Sequence, residues 1–331
     1  MRDAGLPPLV WRLLAFVALL AVIAGVFQWL SPMYLTSDNL HSLFRHMGIQ
    51  GVTALGLTFV IVVRQFDISF PGIATLCGMT LGFLIANNFS LSASIVGAAG
   101  VGVFCGLVNG VSVGVLRLPD VVATIATGSI AYGLSFVYSD GVSISDNFFS
   151  SGILDLNDER IAFLDAPVFI LAVVAVVVGV VLHMTRFGQS FYATGENRRS
   201  AVFSGVRVRA YVIAAYCLCG GLACLGVVLL CASAGDASTS AGGQLLMPAY
   251  AAVYLGAALF GMPSVGATLA GTLLMAAMLN GFTLMTVPYY YSDAIVSVVL
   301  VSAIAAFNPR LAASLGRLMA TPRSQATQAK S

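Results

Sequence analysis

Three polar side chains interrupt long apolar runs: Asp67 and Ser69 in RQFDISFPG (residues 64–72), and Asn109 in GLVNGVSVG (residues 106–114). An ionisable or amide group in such surroundings is costly unless it is bonded. It therefore serves either to hold helices together or to handle a solute. Asp67 stands two residues before Ser69 and four before Pro71, where a carboxylate favours the start of a helix. It reads as a capped turn or as a polar element beside a translocation path. Asn109 reads as a helix-to-helix hydrogen bond or as a path residue. A third polar stretch, RFGQSFYATGENRRSAVFSGVRVRA (residues 186–210), carries Arg186, Arg198, Arg199, Arg207 and Arg209, a third of all the positive charge in the chain.

Covalent chemistry finds no support. The only lysine, Lys330, is next to last, so there is no Gly-Lys-Ser/Thr phosphate loop. His41, His46 and His183 have no metal-ligand spacing, and neither HExxH nor GxSxG occurs. The six cysteines lie inside apolar runs and read as small hydrophobes. We expect no catalytic residue, metal or cofactor in this chain, and no nucleic-acid partner.

The elements that position these groups must be membrane spans. Hydrophobic residues make up 59% of the 331 and charged residues 8%. A soluble domain carries about 25% charged residues. At about 20 apolar residues per span, breaks at Pro, Gly and charge predict ten helices: 11–30, 43–63, 71–87, 91–116, 121–138, 167–185, 211–233, 245–260, 263–285 and 290–307. The first is expected to be a span rather than a cleaved leader. The fold class is an all-α integral membrane protein with one transmembrane domain, 1–331. In span four, Ser94, Ala98, Gly102, Gly106, Gly110 and Gly114 recur every four residues, a groove for a close neighbour.

With the N-terminus in the cytoplasm, thirteen cationic residues fall inside: Arg2, Arg12, Arg64, Arg117, the five of 186–210, Arg310, Arg317, Arg323 and Lys330. Two, Arg45 and Arg160, fall outside. Positive charge in loops sets topology, so both termini, the loop 186–209 and the tail 308–331 are expected in the cytoplasm. The loop 139–166 is expected outside, as a solvated linker or a docking surface.

LGLTFVIVVRQFDISFPGIATLCGMTLG (residues 55–82) resembles the GGIDLSVG-type signature of sugar ABC-importer permeases, the ribose, xylose and arabinose class, whose relatives include autoinducer-2 permeases. Asp67, Ile68 and Ser69 match. Arg64-Gln65 stand where the family commonly has Gly-Gly, and Phe70-Pro71 also depart. GLVNGVSVGVLRLPDVVATIATGSIAYGL (106–134), TRFGQSFYATGENRRSAVFSGVRV (185–208) and LLMPAYAAVYLGAALFGMPSVGATLAGTLL (245–274) match in order. The resemblance covers residues 50–307 or so.

It implies a permease of the cytoplasmic (inner) membrane with partners: two ATPase subunits that bind ATP and Mg, an external or periplasmic substrate-binding protein, and a second permease, identical or paralogous. It also implies that the cytoplasmic loop docks a short helix into the ATPase. Here Asn197, after Glu196, suits an N-cap and Gly205, after Ser204, a C-cap. Arg198 and Arg199 would face the partner, and Ala201, Val202 and Phe203 supply apolar contact. Gly188 and Gly195 are expected as flexible joints. Arg207 and Arg209 would meet anionic headgroups. The rival readings are a branched-chain amino-acid permease, which the Asp-Ile-Ser signature disfavours, and an ion-coupled secondary transporter.

Overall fold

The computed structural model describes residues 8–161, 164–288, 291, 294–299 and 301–302. The expected span 290–307 lies largely outside them, and the tail 308–331 lies wholly outside. Each of the other nine expected spans is a helix. They are α1 (Pro8–Leu30), α2 (Ser37–Val62), α3 (Phe70–Ala86), α4 (Leu91–Gly114) and α5 (Asp120–Ser135). In the loop 139–166 come α6 (Phe148–Ser151) and α7 (Asp155–Asp158). Then follow α8 (Ala166–Gly179), α9 (Arg186–Glu196), α10 (Arg198–Phe203), α11 (Val208–Ala234), α12 (Gly243–Phe260) and α13 (Val265–Leu284). Among the described residues eight helices are long and apolar enough to cross a membrane, α5 being continued to Tyr138 by a 3-10 turn and α8 to Met184 by a π-helical turn, and α3, with 17 residues, is shorter.

The core is α2, buried along most of its length, with α11 and α3 against it. The small-residue stripe of α4 does what its spacing predicts: Ser94, Ala98, Gly102, Gly106, Gly110 and Gly114 are all buried. They face α11. An added Cβ on Gly106 would collide with the Tyr216 carbonyl, and one on Gly110 would lie 2.6 Å from the Ile213 Cα. Backbone meets backbone there, and dispersion replaces the hydrophobic drive that lipid removes.

The bundle has two electrically different ends. At one, Asp165 lies 2.8 Å from His41, 3.6 Å from Arg45 and 3.5 Å from Arg160. Burial alone would raise its pKa, but the hydrogen bond from His41 and the two guanidinium charges outweigh that and hold the carboxyl below its ordinary value. Arg160 also pairs with Asp165 across a two-stranded hairpin, β1 (Arg160–Ile161) and β2 (Leu164–Asp165). The loop 139–166 is thus folded rather than a solvated linker: Phe148 and Ile153 are fully buried, and Ile144 bridges to Ala237. Ile144, Phe148 and Ile153 in that loop join the main core of the bundle. At the other end Arg64, Arg117, Arg198 and Arg209 gather.

The α4–α11 contact predicts a sharp contrast. Gly106→Val should lower stability by about 1–3 kcal/mol through overpacking, while Gly100→Ala, with no atom near the new methyl, should leave it unchanged. Thermal unfolding of the detergent-solubilised variants checks this.

Candidate translocation and coupling sites

Helix α2 is about 39 Å long and α3 only about 26 Å, against an apolar layer of about 30 Å. The deficit in α3 falls at its start. Residues 65–69 are non-helical, and they lie level with helix interiors: Gly72 and Ser69 sit against Gly128 in α5, and Asp67 meets Tyr250 in α12. Irregular backbone at such depth persists only where its polar groups are met by protein or line a cavity. Here they are met. Phe66 N–H donates to Asp120 Oδ2 (2.8 Å) and Phe66 O accepts from the Tyr216 hydroxyl (2.8 Å). Tyr250 OH accepts from Asp67 N–H (3.0 Å) and donates to Asp67 O (2.8 Å). Ile68 N–H donates to Thr124 Oγ1 (3.2 Å).

Asp67, Ser69 and Asn109 are brought together. Asp67 Oδ1 accepts from Ser69 N–H (2.9 Å) and from the Ser69 hydroxyl, and Ser69 Oγ accepts from Asn109 Nδ2 (2.6 Å). The first is an Asx turn, which leads the chain into α3. All three residues are buried, and none lines a cavity described here. Asn109 hydrogen-bonds α4 to the non-helical segment rather than to a second helix.

In front of this cluster is a cavity of about 510 Å³, lined by Ile68, Pro71 and Thr75, by Ile125, Ser129 and Tyr132 of α5, and by Thr239 and Ser240. Residues 235–242 form a second non-helical segment between α11 and α12. It descends from Ala237, packed on Gly82, to Gly242, whose N–H donates to Thr75 Oγ1 (3.2 Å). Two helices thus begin at one cavity, whose side-chain polarity is hydroxyl throughout and carries no charge. The sequence reading missed Thr75, Ser129, Tyr132, Thr239 and Ser240, because a weakly polar face looks like a packing face. The tyrosines that hold the broken segment left a fainter sign, a phenol in mid-span.

At the basic end the segment 186–209 is two helices. Asn197 breaks them and caps the second, its Oδ1 accepting from Ser200 N–H (3.0 Å). Gly205, at φ +81°, closes α10: Gly205 N–H donates to Val202 O (3.0 Å) and Val206 N–H to Ala201 O (2.9 Å). Gly188 and Gly195 are not joints. Both lie inside α9, and Gly195 has no Cβ because its backbone sits on the Val62 carbonyl at the end of α2. Glu196 ends α9. In α10 Ala201 is buried, Arg198 and Val202 line a cleft, and Arg199 and Phe203 face outward. Phe203 is 91% exposed, an apolar ring left without cover in this chain. Ser204 is exposed beside it. The Schellman turn at Arg64, where the resemblance places glycine, is kept: Arg64 takes φ +54°, with Gln65 N–H donating to Val60 O (3.0 Å).

Two non-helical segments meeting at depth in a bundle of apolar helices define a multi-pass membrane permease, a transport component rather than an enzyme. The family follows from the sequence as a whole. Residues 39–304 match the family described as "Branched-chain amino acid transport system / permease component", and the chain belongs to it. It is similar to the ribose import permease protein RbsC of Escherichia coli (strain K12), 29% identical over 300 residues that cover 89% of this chain and 93% of that one. It is likewise similar to the autoinducer 2 import system permease protein LsrC of Salmonella typhi, 29% identical over 307 residues, 92% of this chain and 86% of that one. No solved structure matches the chain.

The Asx turn gives a test. Asp67→Ala strands the Ser69 N–H and hydroxyl and should cost about 1–3 kcal/mol. Asp67→Asn keeps an acceptor at Oδ1 and should retain most of that stability. Equal loss in both variants, read by thermal unfolding, would show that the charge and not the turn matters.

Proposed function

We propose that this chain is the membrane-spanning subunit of an ABC importer and that it translocates a small neutral sugar or sugar-like polyol. One observation carries the reading: the cavity at the meeting of the two broken segments is lined by five hydroxyl side chains and no charged one. Hydroxyls and helix-start N–H groups match a polyol, which offers donors and acceptors and no net charge. A zwitterionic amino acid would need a carboxylate for its ammonium, and the lining has none. The related permeases named for ribose and autoinducer 2 support the same class.

In this reading ten spans leave both termini in the cytoplasm, and the chain sits in the inner membrane. The basic end is cytoplasmic, in keeping with the bias of loop charge. Separate ATPase subunits bind ATP and Mg there, gripping the edge of α10 formed by Arg199 and Phe203 with Glu196 behind it. A second permease closes the open side of the cavity. A substrate-binding protein delivers solute to the end that carries the hairpin. Asp67, Ser69 and Asn109 position the wall of the path, and Ile68, between Asp67 and Ser69, forms part of it.

Pull-down from the native membrane in mild detergent should bring an ATPase and a permease partner with this chain. Glu196→Ala/Arg199→Ala/Phe203→Ala should abolish ATP-driven uptake and the ATPase contact at an unchanged melting temperature. Full uptake in that variant would defeat the coupling assignment, and ion-driven uptake by the chain alone would defeat the importer reading. Replacing Ser129 or Thr239 with Val should weaken transport about fivefold for each hydrogen bond lost. Unaltered transport by both variants would move the path elsewhere.

A further inference from the structure

The cleft at the basic end, about 790 Å³, is lined by Arg64, Arg117, Arg198 and Arg209. They come from four places in the chain: the ends of α2 and α4, the start of α10 and the first turn of α11. Asp120 is the one carboxylate in the lining, so four arginines against one aspartate leave a net charge of +3. That carboxylate is already engaged, accepting from Phe66 N–H (2.8 Å) and Val121 N–H (2.9 Å) at the start of α5. Among the described residues none of the four arginines has an ion pair.

Two of them are held at a backbone cost. Arg64 lies at φ +54° and Arg117 at φ +60°, the left-handed region where a side chain is strained and glycine is not. Fixing topology needs positive charge somewhere in a loop. It does not need two arginines at glycine-favouring positions converging on one cleft. Apart from Gln65 the remaining wall is apolar, with Val113, Leu118 and Val202, and it adjoins Leu116, which is 64% exposed where α4 ends.

We propose that this cleft binds the phosphodiester headgroup of an anionic phospholipid. Guanidinium forks match phosphate oxygens in pairs, and basic pockets between helices on the cytoplasmic side suit such headgroups. The apolar wall and the exposed end of α4 receive the first acyl carbons. The proposal rests on the cytoplasmic placement of this end. Arg198 then has its charge on the lipid, while Arg199 and Phe203, about 100° round α10, stay free for the ATPase. The headgroup becomes part of the seat on which the coupling helix rests.

The test uses the full chain, purified and delipidated, titrated with phosphatidylglycerol or phosphatidylcholine and read by native mass spectrometry. Phosphatidylglycerol should bind more tightly. Arg64→Gly/Arg117→Gly should weaken it about thirtyfold, roughly fivefold for each charge lost, with a melting temperature equal or higher because glycine suits both positions. Arg64→Lys/Arg117→Lys, which keeps the charge without the fork, should recover part of the loss. Arg186→Ala, which removes a charge outside the cleft, should bind as the parent does.

Unchanged phosphatidylglycerol affinity in the glycine pair overturns the site, as does an equal loss per charge in Arg186→Ala. If inorganic phosphate or glycerol phosphate alone displaces the lipid at comparable concentration, the ligand is a soluble anion and the lipid assignment falls. If the glycine pair keeps the lipid but loses the ATPase, the cleft belongs to the protein partner. Binding in detergent is blind to sidedness. Labelling of Ser204→Cys by an impermeant maleimide in sided vesicles tests orientation separately, so the two failures are distinct.

Discussion

Residues 66–69 carry peptide groups into the interior of an apolar bundle, and every structural decision nearby follows from having to satisfy them. An unmet N–H or carbonyl at that depth costs several kcal/mol. Asp120 and Thr124 of α5, Tyr216 of α11 and Tyr250 of α12 supply the partners. Those side chains arrive from three helices, so the segment ties them to α2 and α3 at one level. The tie fixes where α3 can begin, and the short α3 in turn leaves the space that becomes the cavity. Asp67, Ser69 and Asn109 continue the same logic one layer further in, joining the broken segment to α4.

The two ends use charge in opposite ways. At the hairpin end the arginines are spent: Arg45 and Arg160, with His41, converge on the buried Asp165 and pin the loop 139–166 to α2 and α8. At the basic end the arginines are unpaired among the described residues, and the one nearby carboxylate serves the backbone. Charge that is not used within the fold is available to something outside it. The exposed Phe203 on α10 makes the same point for apolar surface. A ring 91% exposed next to arginines is costly for an isolated chain and sensible for a subunit.

Helix α10 divides five of its six residues among three duties: Ala201 seats it, Arg198 and Val202 turn to the cleft, and Arg199 and Phe203 turn outward. That division sets two exposed faces about 100° apart on one doubly capped helix. A push on one face is felt at the other. Gly195 strengthens the linkage, because its missing Cβ lets α9 rest on the last carbonyl of α2.

Much of this was legible in the sequence, for local reasons. Hydrophobic runs, Pro and Gly breaks and loop charge located nine described helices within a few residues, since lipid forces each span to satisfy its own backbone. The α4 stripe announced its close neighbour through spacing alone. Asn197 and Gly205 announced the caps of α10, because capping depends on residues a few positions apart. Gly188 and Gly195 misled for the complementary reason: a glycine that frees the backbone and one that admits a neighbour look identical until the neighbour, Leu182 or Val62, is in place. Asp67, Ser69 and Asn109 were visible as polar exceptions, but whether they line a path or support its wall depends on side chains 40 to 183 residues away in the chain. The cavity itself came from Thr75, Ser129, Tyr132, Thr239 and Ser240, hydroxyls too mildly polar to stand out in a span. The sequence by itself determined the class of protein and the two caps of α10. Only the tertiary structure decided which polar groups are spent on holding the fold and which remain to meet a solute, a lipid or a partner.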